Sequence, residues 1–439
     1  MTAEIAILNR DAIALAADSA VTIETSKGRK IYNTSNKLFS LSKHAPVGVM
    51  IYGRSDLMGI PWESIIKAYR STLSRTTFAT IGAYADNFLK YLSDSRELFP
   101  RHQEDMFFRK SVVPDFLTIR GLVVEQIEEQ LKKQGEVSFR HVELGIDEAI
   151  KAYEKMILTR SRLPHLKTRH ANRLKARFKS LVASTARFLF EKLPLSQQSH
   201  TRLLNIAVEK WCRSSIGYGA SGIVIAGFGS SEIFPSLREL QIDGTAEGIV
   251  RYDTRRVGAI DHGNTASILP FAQHEMVVSF MEGIDPGCRG IIESFWATIL
   301  KQYPIDAVNS INQLSEQERD SIKGKLMTAG KRILEEFKNH LDAFQRKNHI
   351  QPVIDAVAVL PKDLLAEVAE SLVNLTSFKR RISMDSAETV GGPIDVAVIS
   401  RGDGFVWIKR KHYFKPELNP RFFASMLGGN HEKAQERET

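Results

Sequence analysis

A threonine directly after the initiator methionine could be a nucleophile, and three residues downstream could make it one. Thr2 is small enough for Met1 removal to be expected. Removal leaves a free α-amine beside the Thr2 hydroxyl. An unactivated hydroxyl is a weak nucleophile that needs a base within hydrogen-bond reach. An α-amine, with an ordinary pKa of about 7.7–8.0, can serve as that base near neutrality. A lysine cation nearby lowers the amine's pKa further, and an aspartate holds the lysine charged and oriented. Lys37 and Asp18 are the candidates for those two roles. Gly53 is the candidate oxyanion-hole donor, because glycine lets a backbone N–H come close to a substrate carbonyl. Each has a plainer explanation alone. Thr2 would be a permissive N-terminal residue, Asp18 a turn residue closing a strand, Lys37 a guard on a strand edge and Gly53 the start of a loop.

The elements that must position these residues are strands. Ala3, Ile5 and Ile7 alternate with Glu4 and Ala6, so one face of a first strand can be buried. Asn9-Arg10-Asp11 is a polar turn between two apolar runs, which predicts a tight β-hairpin. Residues 2–53 read as strands throughout. Pro61, Ile65, Ile66 and Tyr69 then predict an amphipathic helix, and Phe78, Ile81, Tyr84, Phe88 and Tyr91 a second over about 78–93.

In this order the motifs resemble the start of a mature proteasome β subunit and its bacterial ring-peptidase relatives, the N-terminal nucleophile hydrolases. The carrying residues are Thr2, Leu15-Ala16-Ala17-Asp18, Lys37-Leu38-Phe39 and Val49-Met50-Ile51-Tyr52-Gly53. Further on, Ser221 to Gly229 and Pro235 to Gly244 are similar to that family's central hairpin. Residues 259–264 stand where the family has a Gly-Ser-Gly turn before a long helix, here expected over about 265–283, and His262 takes the serine's place. Around Glu388 the family has an acid followed by Ser-Gly. Glu388 and Gly392 fit the acid and the glycine, but Gly391 replaces the serine. Ile394–Ile399 and Gly404–Ile408 read as the last strand pair. The resemblance implies an α+β fold, a four-layer αββα sandwich with helical insertions. It implies amide hydrolysis, of peptides or proteins, through an acyl-enzyme on Thr2, with Asp18, Lys37, Gly53, Glu388 and His262 as its other site residues. It implies no cofactor and no metal. It also implies a homo-oligomeric ring, with an ATP-dependent unfoldase or another partner at the insertions. Pro46-Val47-Gly48-Val49, where the family shapes its specificity pocket, is small and apolar.

Composition sets the limits. With 439 residues and 43% hydrophobic content the chain exceeds one ordinary domain and can bury a sizeable core. Two cysteines, Cys212 and Cys288, fit a reducing compartment, not a disulfide scaffold. No apolar run of membrane-spanning length occurs and the N-terminus has no apolar signal core, so a soluble cytoplasmic protein with no membrane partner is expected. The expected divisions are a core first half (2–95), a basic helical insertion (96–215), core strands and a helix (216–283), a second helical insertion (284–354), a final core helix and strands (355–412) and a polar tail (413–439), disordered from Gly428.

A second class of function comes from the insertion. Residues 154–192 hold eleven Lys/Arg against two acidic residues, a composition that suits nucleic acid or an acidic partner. Leu174, Phe178, Leu181 and Phe188 instead recur as a buried stripe, with the charges as its solvated face, and that reading is preferred to a nucleic-acid interface. An inactive ring or scaffold subunit of the same fold is a third reading, favoured by the two replaced serines, and a small-molecule amidase a fourth.

Overall fold

The chain opens on the hairpin its alternation predicts. Strands β1 (Ala3–Asn9) and β2 (Ala12–Ala17) pair antiparallel from Glu4↔Ala17 to Leu8↔Ile13. Asn9 shapes the reversal: its Oδ1 accepts the backbone N–H groups of Asp11 and Ala12, each at 3.1 Å, the local bond that suits Asn to turns. The structure, a computed structural model, describes residues 2–25, 28–191, 193–213, 219–382 and 391–421.

In chain order there follow β3 (Val21–Thr25), β4 (Gly28–Tyr32), β5 (Leu38–Ser40), β6 (Val47–Gly53) and the short pair β7 (Asp56–Leu57) and β8 (Ile60–Pro61). Six helices come next: α1 (Trp62–Leu73), α2 (Ile81–Asp94), α3 (Arg101–Gln134), α4 (Phe139–Leu158), α5 (Thr168–Leu189) and α6 (Gln197–Cys212). Then come β9 (Ser221–Gly227), β10 (Ser236–Ala246), β11 (Ile249–Ala259) and β12 (Ala266–Ala272). After α7 (Glu275–Glu282), α8 (Pro286–Asn309), α9 (Glu316–Gln345), α10 (Gln351–Ala358) and α11 (Lys362–Ile382), the strands β13 (Asp395–Ser400) and β14 (Gly404–Lys409) close the fold.

The chain divides into two compact units. The first takes its described residues from 1–38, 260–399 and 405–439. Its sheet runs β12-β1-β2-β13-β14. Ala3, Ile5 and Ile7 of β1 and Ala12, Ala14 and Ala16 of β2 share a core with Leu365, Ala366, Ala369, Leu372 and Val373 of α11. The alanines leave room for the helix to approach the strands closely, and each fully buried Ile, Leu or Val contributes about 1.5–3 kcal/mol. Glu4, Ala6 and Leu8, on the other face of β1, are buried as well. The expectation of a single buried face was therefore too narrow.

One element departs from expectation in kind. Residues 266–272 form β12, not the start of a helix over 265–283, and only Glu275–Glu282 is helical. Pro270 explains it. A proline inside a helix removes a hydrogen bond and clashes with the preceding turn, whereas an outer strand tolerates it, and β12 is the outer strand beside β1.

The second unit, 39–259 and 400–404, holds the sheet β11-β10-β9-β6-β5. Trp62, Ile65, Ile66 and Tyr69 of α1 and Tyr84 and Phe88 of α2 pack on Val49, Ile51, Ile223, Ile225, Leu240 and Ile242. Helices α3 to α6 have a core of their own, in which Phe108 and Phe178 stack at 3.9 Å. The stripe on α5 is Ala171, Leu174, Phe178, Val182 and Ala186; Phe188 is 77% exposed, against expectation. At about 100° per residue, Phe188 falls too far around the helix to share that face.

Each unit thus contributes a five-stranded sheet with helices packed against it. The fold is α+β, with the layer content of an αββα sandwich. Among the described residues no helix is long and apolar enough to cross a membrane.

Candidate active site

Three of the residues singled out in the sequence meet at the Thr2 end of β1. Lys37 Nζ donates to Thr2 Oγ1 at 2.9 Å and to Asp18 Oδ1 at 2.6 Å. Thr2 is 3% exposed, and the Lys37 and Asp18 side chains are 5% and 0% exposed, so the contact is shielded from water. A buried charge pair persists only when its remaining hydrogen-bonding capacity is satisfied. Asp18 meets that condition: the Ala3 N–H donates to its Oδ1 at 3.2 Å and the Gly391 N–H to its Oδ2 at 3.0 Å.

The elements account for this meeting. Continuing the β1–β2 register places Asp18 opposite Ala3, and the Asp18 N–H donates to the Ala3 carbonyl at 3.1 Å. The β3–β4 hairpin returns the chain, and the Ser35 N–H donates to the Ser19 carbonyl at 3.1 Å, so Lys37 enters beside the start of β1. On the other side of β1, the Gln273 N–H donates to the Thr2 carbonyl at 3.2 Å. The Thr2 backbone is therefore held from both flanks.

Gly391 lies in the site through its backbone. It donates to Asp18 and its carbonyl accepts the Ser19 N–H at 3.2 Å, while the Ser19 hydroxyl donates to the Pro393 carbonyl. A serine would add a hydroxyl here; glycine leaves only the peptide group. The adjacent Gly392 has φ of +78°, and a Cβ there would stand 2.8 Å from Asn33 Cβ. Both the left-handed backbone and the tight approach require glycine.

The other expected residues have three different settings. His262 is exposed in the turn before β12, opposite the Asn9 end of β1, and its carbonyl accepts from Arg10 Nη2 at 3.1 Å. The seven residues of β1 separate it from the Thr2 end, about 20 Å at roughly 3.3 Å per residue. The acid of that turn, Asp261, takes the backbone N–H groups of Gly263 and Asn264, which hold its carboxyl below the usual range. Gly53 belongs to the second unit, where it ends β6 with φ of +79° and where a Cβ would stand 2.6 Å from the Ala220 carbonyl oxygen. Glu388 lies outside the described residues.

Alternation makes Glu4 only the polar partner in a strand, yet it is a buried carboxyl in β1, two residues on from Thr2. It is 2% exposed, and neither carboxyl oxygen has a hydrogen-bond partner among the described residues. Burial raises its pKa well above the ordinary value; the Lys37 charge opposes that rise and the Asp18 charge adds to it. Its sequence signal was a carboxylate inside a strand otherwise apolar on both faces.

No family model matches the chain, and no curated protein does. Among solved structures it is similar to Anbu, described as an ancestral beta-subunit, from Yersinia bercovieri, at 9% identity over 97% of this chain and 95% of that one, TM-score 0.25. It is also similar to the Anbu complex from Pseudomonas aeruginosa, described as a helical assembly, at 10% identity over 99% and 96%, TM-score 0.27. A Gly-1 mutant of Anbu from Hyphomicrobium sp. strain MC1 shows 11% identity over 99% and 97%, TM-score 0.24. Likeness at this level leaves the case for the site with its own geometry.

Proposed function

We propose that the chain is a threonine-type amide hydrolase of the N-terminal nucleophile class, acting on peptides or proteins. The observation that carries this is Lys37 Nζ bridging Thr2 Oγ1 and Asp18 Oδ1 in a buried cluster. Removal of Met1 exposes the α-amine of Thr2. The Lys37 charge favours the neutral form of that amine and the ionised form of the hydroxyl. The amine takes the Oγ1 proton as Oγ1 attacks the substrate carbonyl, then returns it to the leaving amine, and the Thr2 ester remains. Water, deprotonated by the same amine, hydrolyses the ester and restores the hydroxyl. Asp18, held by two backbone N–H groups, keeps Lys37 aimed at Thr2 Oγ1.

Turnover of a panel of fluorogenic peptidyl amides by the full chain, beside Thr2→Ala, tests the reading. Hydrolysis that vanishes in Thr2→Ala supports it. Equal rates in the two proteins rule it out.

A second reading is an inactive subunit of the same fold. It is favoured by Gly391, which offers no side chain, and by His262, which stands a strand's length from Thr2. Both readings allow homo-oligomeric assembly, which mass photometry of the purified chain reads directly.

A further inference from the structure

The start of β1 holds two buried carboxyls and one lysine, and the mechanism above uses only one of the carboxyls. Side chains two apart on a strand lie on the same face, so Glu4 shares the Thr2 face. Its cross-strand neighbours, Ala17 on β2 and Phe271 on β12, bring no charge. The charged groups whose fields reach Glu4 are Lys37 and Asp18. Lys37 is committed to Asp18 and Thr2, and Asp18 is saturated by Lys37, Ala3 and Gly391. Among the described residues no hydrogen-bond donor meets the Glu4 carboxyl, and the Lys37 charge offsets its burial only in part. An unpaired buried carboxylate is costly enough that the group takes a proton instead.

We propose that Glu4 is a positioning residue of this site: its carboxyl stays neutral while the site is active, leaving Lys37 with Asp18 as its single negative partner, and its ionisation attenuates Thr2. The inference rests on the threonine-hydrolase reading for its effect on rate, but not for its claim about charge. Losing the Glu4 proton to solvent places a second negative charge beside Lys37. That charge stabilises the protonated α-amine and disfavours the developing Oγ1 anion, so Thr2 loses both its base and its nucleophilicity. A neutral Glu4 does neither.

The rate of Thr2 acylation by a β-lactone, followed by intact mass across pH, separates this from a packing role. The full-length wild type should show an alkaline fall of about tenfold, the effect of a one-unit shift in a neighbouring group. Glu4→Gln, neutral at every pH and nearly isosteric, should lack that fall. Superimposable profiles would overturn the proposal. Stability against pH tests the charge claim even in a chain that forms no adduct. Glu4 takes up its proton in the folded state at a pH where the unfolded chain, with an ordinary Glu pKa of about 4.3, has lost it. The folded state then binds more protons, so the Glu4 contribution falls as pH rises from that value through the folded pKa. The midpoint of wild-type unfolding should therefore drop relative to Glu4→Gln with rising pH. Parallel curves would mean that Glu4 titrates normally, and would remove the proposal whether or not Thr2 is active. Failure of acylation in the wild type with diverging stability curves would instead sink the hydrolase reading and leave Glu4 as a buried neutral acid.

Discussion

Lys37 stands between a hydroxyl and a carboxylate, and its removal should be felt twice. Lys37→Met leaves Asp18 buried without its cation, and breaking a buried pair in this way costs about 3–5 kcal/mol. The two surviving backbone donors to Asp18 should hold the loss toward the lower figure. Urea unfolding checks it. Reactivity of Thr2 should fall with it by 100-fold or more, a size in line with losing one preorganised electrostatic group. An unchanged rate would remove Lys37 from the mechanism. Gly392→Ala tests the loop that carries Gly391: φ of +78° and the 2.8 Å approach to Asn33 predict a loss of at least about 1 kcal/mol. It should also weaken the Gly391–Asp18 bond and slow acylation.

At the scale of elements, the sequence was most legible where side-chain period and burial agree. The β1–β2 hairpin, α1, α2, the helical run α3–α6, α11 and the β13–β14 pair all lie where the patterns place them, within a few residues. The failures share a cause, in that a local signal was outweighed by the sheet. Ile249–Ala259 passes unnoticed because Arg251, Arg255 and Arg256 interrupt any apolar run, yet ten of its residues pair along β10. Its turn, Glu247-Gly248, adopts positive φ at both positions without the usual Asn-Gly or Asp-Gly cue. β12 carries apolar residues at helical spacing, but Pro270 suits it to an outer strand. In the site, Thr2, Asp18 and Lys37 were legible because a resemblance supplied their order. Glu4 was not, because alternation describes one buried face and this strand has two. Among the helices, Phe178→Ala should cost about 3–5 kcal/mol by emptying the stack on Phe108. Phe188→Ala, at an exposed position, should cost little.

For the molecule as a whole, the excess of positive charge is met in part by internal ion pairs. In the basic stretch Arg162 pairs with Glu209, Arg173 with Glu247, and Arg177 with both Asp105 and Glu247. These arginines tie α5 to α3 and to the β10–β11 turn, and the stretch before α5 to α6. Fluorescence anisotropy with a labelled duplex at physiological salt should give binding no tighter than the non-specific range of about 10⁻⁴–10⁻⁶ M. A tighter complex that dissolves steeply with salt would restore the nucleic-acid reading. The proposed chemistry turns on one atom, Thr2 Oγ1. Intact-mass spectrometry of the purified protein, before and after a β-lactone, tests it directly. Loss of Met1 and a single adduct that Thr2→Ala does not form are the expected result. Retained Met1 with no adduct would contradict it.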